Sequence, residues 1–140
     1  TISFRNVLYT DLDMIFKWQN IKGLRQYFNN PELPLYDEHT DWFMKRLKQY
    51  ENPYWVIKEN QTEIGAISLT YNNEYNIYDL SWYILPDKCG KGLGTSALKL
   101  ALAIINPFKI RAQVNDGNLA SHKSLVKLGF QKISEEYYIS

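Results

Sequence analysis

The segment from Trp82 to Thr95 constrains the fold more than any other: a strand rich in aromatic and branched residues ends at Leu85-Pro86. Glycine then recurs at every second position as Gly90, Gly92 and Gly94, and an apolar helical stretch follows over 92–105. Without Cβ atoms the backbone can approach an anion closely, and the unpaired N–H groups of a helix's first turn point at it. Lys91 adds a positive charge there. The alternative is a tight strand-to-helix turn that needs glycine only for its dihedral angles. Two familiar phosphate loops are excluded. A nucleotide-hydrolysing loop needs Ser or Thr after Gly-Lys, whereas Gly92 follows Gly90-Lys91. A dinucleotide fingerprint needs glycine where Thr95 stands, and the chain left after Gly94 is too short for the further units of that fold.

The rest of the chain supplies an alternating α/β order. Ile2 to Leu8 reads as a strand, and Thr10 with Asp13 gives a capping-box-like start to a helix carrying Leu12, Ile15 and Phe16 that stops near Gly23. Asn29, Asn30, Pro31 and Pro34 interrupt the pattern before Asp37 caps a second helix, in which His39, Trp42, Phe43 and Leu47 recur at helical spacing. Tyr54 to Lys58, Glu63 to Tyr71 and Ile77 to Leu85 read as an antiparallel meander. The stretch 92–105 is apolar on nearly all sides, which predicts a buried helix ended by Asn106-Pro107. Phe108 to Val114 reads as a strand, Asn118 to Leu128 as a helix closed by Gly129, and Phe130 to Ile133 and Tyr137 to Ile139 as short final strands. With no repeat and no linker, residues 1–140 are expected to form one domain.

Composition narrows the function. Sixteen basic against fifteen acidic residues leave a formal charge of +1, so neither nucleic acid nor an anionic membrane is the expected partner. The lone cysteine, Cys89, makes no internal disulfide and no four-cysteine metal site, and no long apolar run is present. A reducing, cytoplasmic location and a site without metal are expected.

The glycine segment resembles the acetyl-coenzyme A loop of the GNAT N-acetyltransferase family, Gln/Arg-x-x-Gly-x-Gly/Ala, here Cys89-Gly90-Lys91-Gly92-Leu93-Gly94 with Cys89 in place of Gln or Arg. Asn118-Leu119-Ala120-Ser121 through Leu128-Gly129-Phe130 is similar to the family's Asn-x-Ala-Ser and Leu-Gly-Phe block, in the form shared by small-molecule acetyltransferases and one ribosomal-protein branch. The resemblance implies a mixed, mostly antiparallel sheet of six to seven strands with helices on both faces and a splayed central strand pair. It also implies acetyl-coenzyme A as cosubstrate. Pantetheine would lie along Trp82, Tyr83 and Ile84 like an added strand, the pyrophosphate would sit at Gly90, Lys91, Gly92, Leu93, Gly94 and Thr95, and Asn118 would meet the thiol end.

Acyl transfer to an amine needs a neutral nucleophile, a stabilised oxyanion and a proton for the departing thiolate. Asp79 is ten residues before Cys89, where many members of the family carry a catalytic Glu, and is expected to take the amine proton through water; pairing with a neighbouring basic group is its other role. Ser121 is expected to relay a proton, or simply to bond the backbone at a helix start. Gln113 and Leu125 stand where peptide-acetylating relatives carry Glu and Tyr, which weakens a protein N-terminus as acceptor. Cys89 reads as structural rather than as an acyl-accepting nucleophile.

Acceptor recognition is expected from the first two helices. Trp18-Gln19-Asn20, Arg25, and His39 with Trp42-Phe43 resemble the Trp-Arg-Asn, Arg and His-x-x-Trp-Phe pattern of acetyltransferases acting on nucleotide-linked amino sugars, with Gln19 replacing Arg. The substrate set is therefore Trp18, Asn20, His39 and Trp42, with His39 expected to be partly exposed and Phe43 to be core. The expected activity is N-acetylation of a primary amine of a small molecule by direct attack, in a monomer or homodimer. A catalytically silent coenzyme A-binding module and acetylation of a protein N-terminus are the alternatives.

Overall fold

The structure, a computed structural model, describes residues 1–28 and 30–140; the expectation for Asn29 lies outside them. Seven strands, β1 (Ile2–Asn6), β2 (Tyr54–Glu59), β3 (Thr62–Asn72), β4 (Ile77–Ile84), β5 (Ile110–Gln113), β6 (Gln131–Lys132) and β7 (Tyr137–Ile139), form one sheet in the order β1-β2-β3-β4-β5-β7-β6. Every neighbouring pair is antiparallel except β4 and β5. The expected sheet and its meander are both present. Among the described residues four α-helices accompany it: α1 (Leu12–Gln19), α2 (Tyr36–Leu47), α3 (Leu93–Ile105) and α4 (Leu119–Lys127).

Strand alternation divides the sheet into two faces, each with its own core. On β2, Tyr54 and Val56 face α1 and α2, packing with Ile15, Trp18 and Phe43; Ile57 faces α3 and packs with Ile67, Leu98 and Ala101. Gly65 of β3 is required by close approach, since a Cβ there would lie 2.1 Å from the Tyr83 carbonyl oxygen of β4.

Several local readings are corrected. The first helix is not capped by Thr10 and Asp13: a short 3-10 turn over Tyr9–Asp11 precedes it, and the Asp11 carboxylate accepts from the Leu8 N–H at 2.7 Å while pairing with Arg5 at 2.8 Å. That ion pair lets Asp11 stay buried at the 3-10 turn, and no side chain caps α1 itself. Asp37 lies within the first turn of α2 rather than at its cap, which is Leu35. The apolar helix α3 buries Ala97, Leu98, Ala101 and Ile105 but leaves Ile104 exposed, because only one side of it meets the sheet. β5 and β6 are shorter than the apolar runs that suggested them.

Candidate active site

The glycine loop is built from backbone. Gly90 and Gly92 have φ of +80° and +76°, the left-handed region open to glycine, and Gly92 is the residue at which α3 begins. Gly94 answers a different need: a Cβ there would come within 3.1 Å of the Trp82 ring. No side chain caps α3, so the N–H groups of its first turn, around Leu93, Gly94 and Thr95, are available to an anion. Thr95 Oγ1 donates to or accepts from Ser124 Oγ at 2.9 Å, tying the start of α3 to the second turn of α4.

Beside this loop the sheet opens. β4 pairs with β5 only through Tyr78, Asp79 and Leu80, yet β4 runs on to Ile84. The Tyr78 N–H donates to the Lys109 carbonyl on the β5 side, and successive backbone groups alternate sides. The N–H and C=O of Trp82 and Ile84 therefore face the same side, beyond the last β5 partner. Their side chains pack against the α3 core. Tyr83 departs from the expectation: its backbone pairs with Ala66 of β3, and its side chain turns to the opposite face.

That opposite face carries a cleft of about 480 Å³ between α1, α2 and the sheet. Ser68 and Thr70 of β3 and Ser81 and Tyr83 of β4 contribute to its lining, together with Gln19, Arg25, Phe28, Glu38, His39, Trp42 and Arg46. Arg46 is 6% exposed and donates to Ser68 Oγ and to the carbonyls of Asn52, Pro53 and Leu69. Arg25 donates to the Gln19 side-chain oxygen and to the Asn30 carbonyl, and its guanidinium lies over the Phe28 ring at 4.9 Å. Three buried polar atoms at this cleft have no hydrogen-bond partner among the described residues: Arg25 Nε, His39 Nε2 and the Tyr83 hydroxyl.

Electrostatics follow from burial. Burial pushes the His39 imidazole below its ordinary value; hydrogen bonding to the Leu12 carbonyl opposes this and the Arg25 charge adds to it. Burial raises the Tyr83 phenol well above its usual range, with the nearby Gln19 amide and Arg25 opposing part of the rise. The ring is thus a neutral hydroxyl, and the imidazole a neutral base, near pH 7. His39 is only 4% exposed, contrary to its expected place on an exposed helix start, because Phe16, Trp42 and Phe43 enclose it.

An acetyltransferase (GNAT) domain family model matches residues 2–131. The chain belongs to the GNAT acetyltransferase family. No curated protein matches it in sequence. Among solved structures it is similar to the spermidine N-acetyltransferase of Vibrio cholerae in complex with coenzyme A and spermine, at 20% identity and a TM-score of 0.81, over 99% of this chain and 91% of that one. It is also similar to an aminoglycoside acetyltransferase solved with paromomycin and acetyl-coenzyme A, at 18% identity and a TM-score of 0.84, over 100% and 93%. A domain from Methanocaldococcus jannaschii aligns at 23% identity and a TM-score of 0.82, over 100% and 97%. These likenesses are ones of fold.

Within this GNAT domain the expected acceptor residues separate. Trp42 and His39 line the cleft; Trp18 is buried in the core beside Tyr83, and Asn20 donates to the Phe16 carbonyl outside the cleft lining. Asp79 is paired: its carboxylate accepts from Arg111 Nε at 2.7 Å and from Arg111 and Asn72 at 3.2 Å, and Arg111 is in turn held between Tyr75 and Tyr137. Asn118 caps α4, accepting from the Ser121 N–H at 3.3 Å. Leu125 is fully buried, and Cys89 is exposed with burial of its thiol and the Asp87 charge raising its pKa, so it is a poor nucleophile. Sequence reasoning missed Arg46, Ser68, Thr70 and Ser81. The signal was there: Arg46 is two helical turns past His39, and the three hydroxyl residues occupy alternating positions on adjacent strands.

Proposed function

We propose that this domain transfers an acetyl group from acetyl-coenzyme A to a primary amine of a small molecule by direct attack. One observation carries the reading: the stretch Ser81–Ile84 of β4 presents, on its open edge, the backbone groups of Trp82 and Ile84, and on its other face, the side chains of Ser81 and Tyr83 in the cleft. A single strand segment thus separates a place for an extended, amide-bearing ligand from a place for its reaction partner.

The residues present fit the cosubstrate. The backbone N–H and C=O groups of Trp82 and Ile84 beyond the last β5 partner suit pantetheine amides, the Ile84 carbonyl meeting only the weak Cys89 thiol donor at 3.5 Å, and the uncapped start of α3 with Gly90, Lys91, Gly92, Leu93, Gly94 and Thr95 suits a pyrophosphate. Bound acetyl-coenzyme A supplies an acyl group activated as a thioester. The protein must then deprotonate the amine, whose pKa is near ~10 on the lysine model. The Asp79 carboxylate is committed to Arg111 and Asn72, so it positions β4 against β5. The neutral His39 imidazole, whose Nε2 lacks a partner, is the group of the cleft able to accept a hydrogen bond or a proton. Ser121, near the start of α4, has the hydroxyl to relay a proton toward the thiol end, with Asn118 holding that turn.

Among small amines, an amino sugar linked to a nucleotide agrees with the positions of His39, Trp42 and Arg25 in one cleft. A cytoplasmic location agrees with the exposed, unpaired Cys89. The test is release of free thiol from acetyl-coenzyme A across amino sugars, polyamines, amino acids and peptides. Release with a small amine is expected. Binding of acetyl-coenzyme A without release for any amine would favour a silent binding module, and release with peptides alone would favour a protein N-terminus.

A further inference from the structure

The charge balance of the cleft carries a substrate class, on the reading that the cleft receives the amine. Arg25 and Arg46 both line it, and the ion pairs among the described residues involve Arg5 and Arg111 instead. Among the described residues Glu38 is the one carboxylate in the lining. A desolvated guanidinium without a counter-ion is costly, and burial lowers the pKa of both arginines. Arg46 spends its donors on Ser68 and three backbone carbonyls, whereas Arg25 keeps a buried Nε–H without an acceptor. Beside it, the Tyr83 hydroxyl is a second donor without an acceptor among the described residues, and Phe28 packs against both its ring and the Arg25 guanidinium.

We infer that the acceptor amine carries an anionic group, a carboxylate or a phosphate, received by the Arg25 Nε–H and the Tyr83 hydroxyl. The anion supplies the missing acceptor and counter-charge at once, and a charge-assisted hydrogen bond in a desolvated site is stronger than a neutral one. His39 Nε2, which lacks a donor, is left for an N–H or hydroxyl of the same molecule. A polyamine or an aminoglycoside, bearing several ammonium groups, would instead meet the buried Arg46 and half-buried Arg25 guanidinium groups. Acceptor choice in this chain therefore departs from the spermidine and aminoglycoside enzymes that share its fold.

The test uses matched pairs: glucosamine 6-phosphate against glucosamine for phosphate, β-alanine against β-alaninamide for carboxylate, and spermidine as the polycation. Thiol release is measured in the parent, Arg25→Gln and Arg25→Lys, and comparing ratios across variants cancels the amines' intrinsic reactivity. The anionic member of at least one pair should show a kcat/KM about tenfold or more above its neutral partner and above spermidine. That ratio should collapse toward one in Arg25→Gln and persist in part in Arg25→Lys. Preference for spermidine or the neutral members, or an undiminished ratio in Arg25→Gln, would overturn the inference. Calorimetric titration of glucosamine 6-phosphate and of β-alanine into the protein with coenzyme A present separates the two readings. Binding lost in Arg25→Gln, with no thiol release from any amine, would keep the anion subsite and remove the enzyme. Absence of binding for both anions in the parent, or binding unaltered in Arg25→Gln, would remove the subsite.

Discussion

The two halves of the site are made of different material. On the β5 side of β4, the glycine loop and the open strand edge offer main-chain groups, and side chains matter there chiefly by being absent, as at Gly90, Gly92 and Gly94. On the other face, the cleft consists of side chains from α1, the turn after it, α2, β3 and β4, several of them buried polar groups. A backbone site can recur unchanged across a family because any sequence that folds supplies N–H and C=O groups. A side-chain cleft can be rewritten residue by residue. A fold shared at about 20% identity with a spermidine enzyme is compatible with a cleft lined by the buried Arg46 and the half-buried Arg25.

The largest effect that would break this contrast comes from Arg46→Ala. Removing the guanidinium leaves the buried Asn52 and Leu69 carbonyls without this donor, while the Pro53 carbonyl keeps the Leu69 N–H, and should cost about 3 kcal/mol by urea unfolding. A loss below about 1 kcal/mol would mean that side-chain hydrogen bonds do not hold the cleft floor. Next is Gly65→Ala, whose Cβ must displace the Tyr83 carbonyl. About 2 kcal/mol of destabilisation is expected, and because Tyr83 and its neighbours on β4 serve both regions, ligand-induced stabilisation should weaken for acetyl-coenzyme A and acceptor alike. Loss of only one response would show that the two regions are less joined at β4 than the strand geometry implies.

A smaller effect sharpens the electrostatic side. His39 has a lowered pKa in the folded state, so below its unfolded value of 6.5 the unfolded chain binds more protons. Stability should fall as pH drops from that value through the folded one, and His39→Gln should flatten this slope in unfolding curves taken between pH 7.5 and about 5. An equal slope in the variant would mean that His39 titrates normally. The smallest effect is expected of Asp79→Asn: the pair with Arg111 is more than a third exposed on the Asp79 side, and its loss should cost less than about 1 kcal/mol and leave turnover within about a factor of three. A fall of about 10² would restore Asp79 as the base.

The same division explains what was legible in the sequence. Gly90, Gly92 and Gly94 lie within five residues of one another, and dihedral and packing demands that only glycine meets are written locally. The meander was legible for a similar reason, since β2, β3 and β4 are separated by short polar turns. The cleft draws on residues from Gln19 to Tyr83, and the helical and strand spacing that puts Arg46 and Ser68 on the right faces does not show that those faces meet. Helical spacing placed His39 and Trp42 on α2, but His39 being enclosed by Phe16 and Phe43 depends on how α1 meets α2. The pairing of Asp79 was not legible: the spacing to Cys89 suggested a base, and the basic residue that holds its carboxylate, Arg111, arrives only through the parallel pairing of β4 with β5.

Calorimetric titration of acetyl-coenzyme A into the parent, Gly92→Glu and Arg25→Gln tests the central claim most directly, because one substitution lies in each region. Glutamate at position 92 would force a side chain into a left-handed backbone conformation and place a carboxylate at the start of α3. Binding should be lost in Gly92→Glu, with its unfolding midpoint checked separately, and should match the parent in Arg25→Gln. Parental affinity in a folded Gly92→Glu, or affinity lost in Arg25→Gln, would contradict a backbone-built cosubstrate site set apart from a side-chain-built cleft.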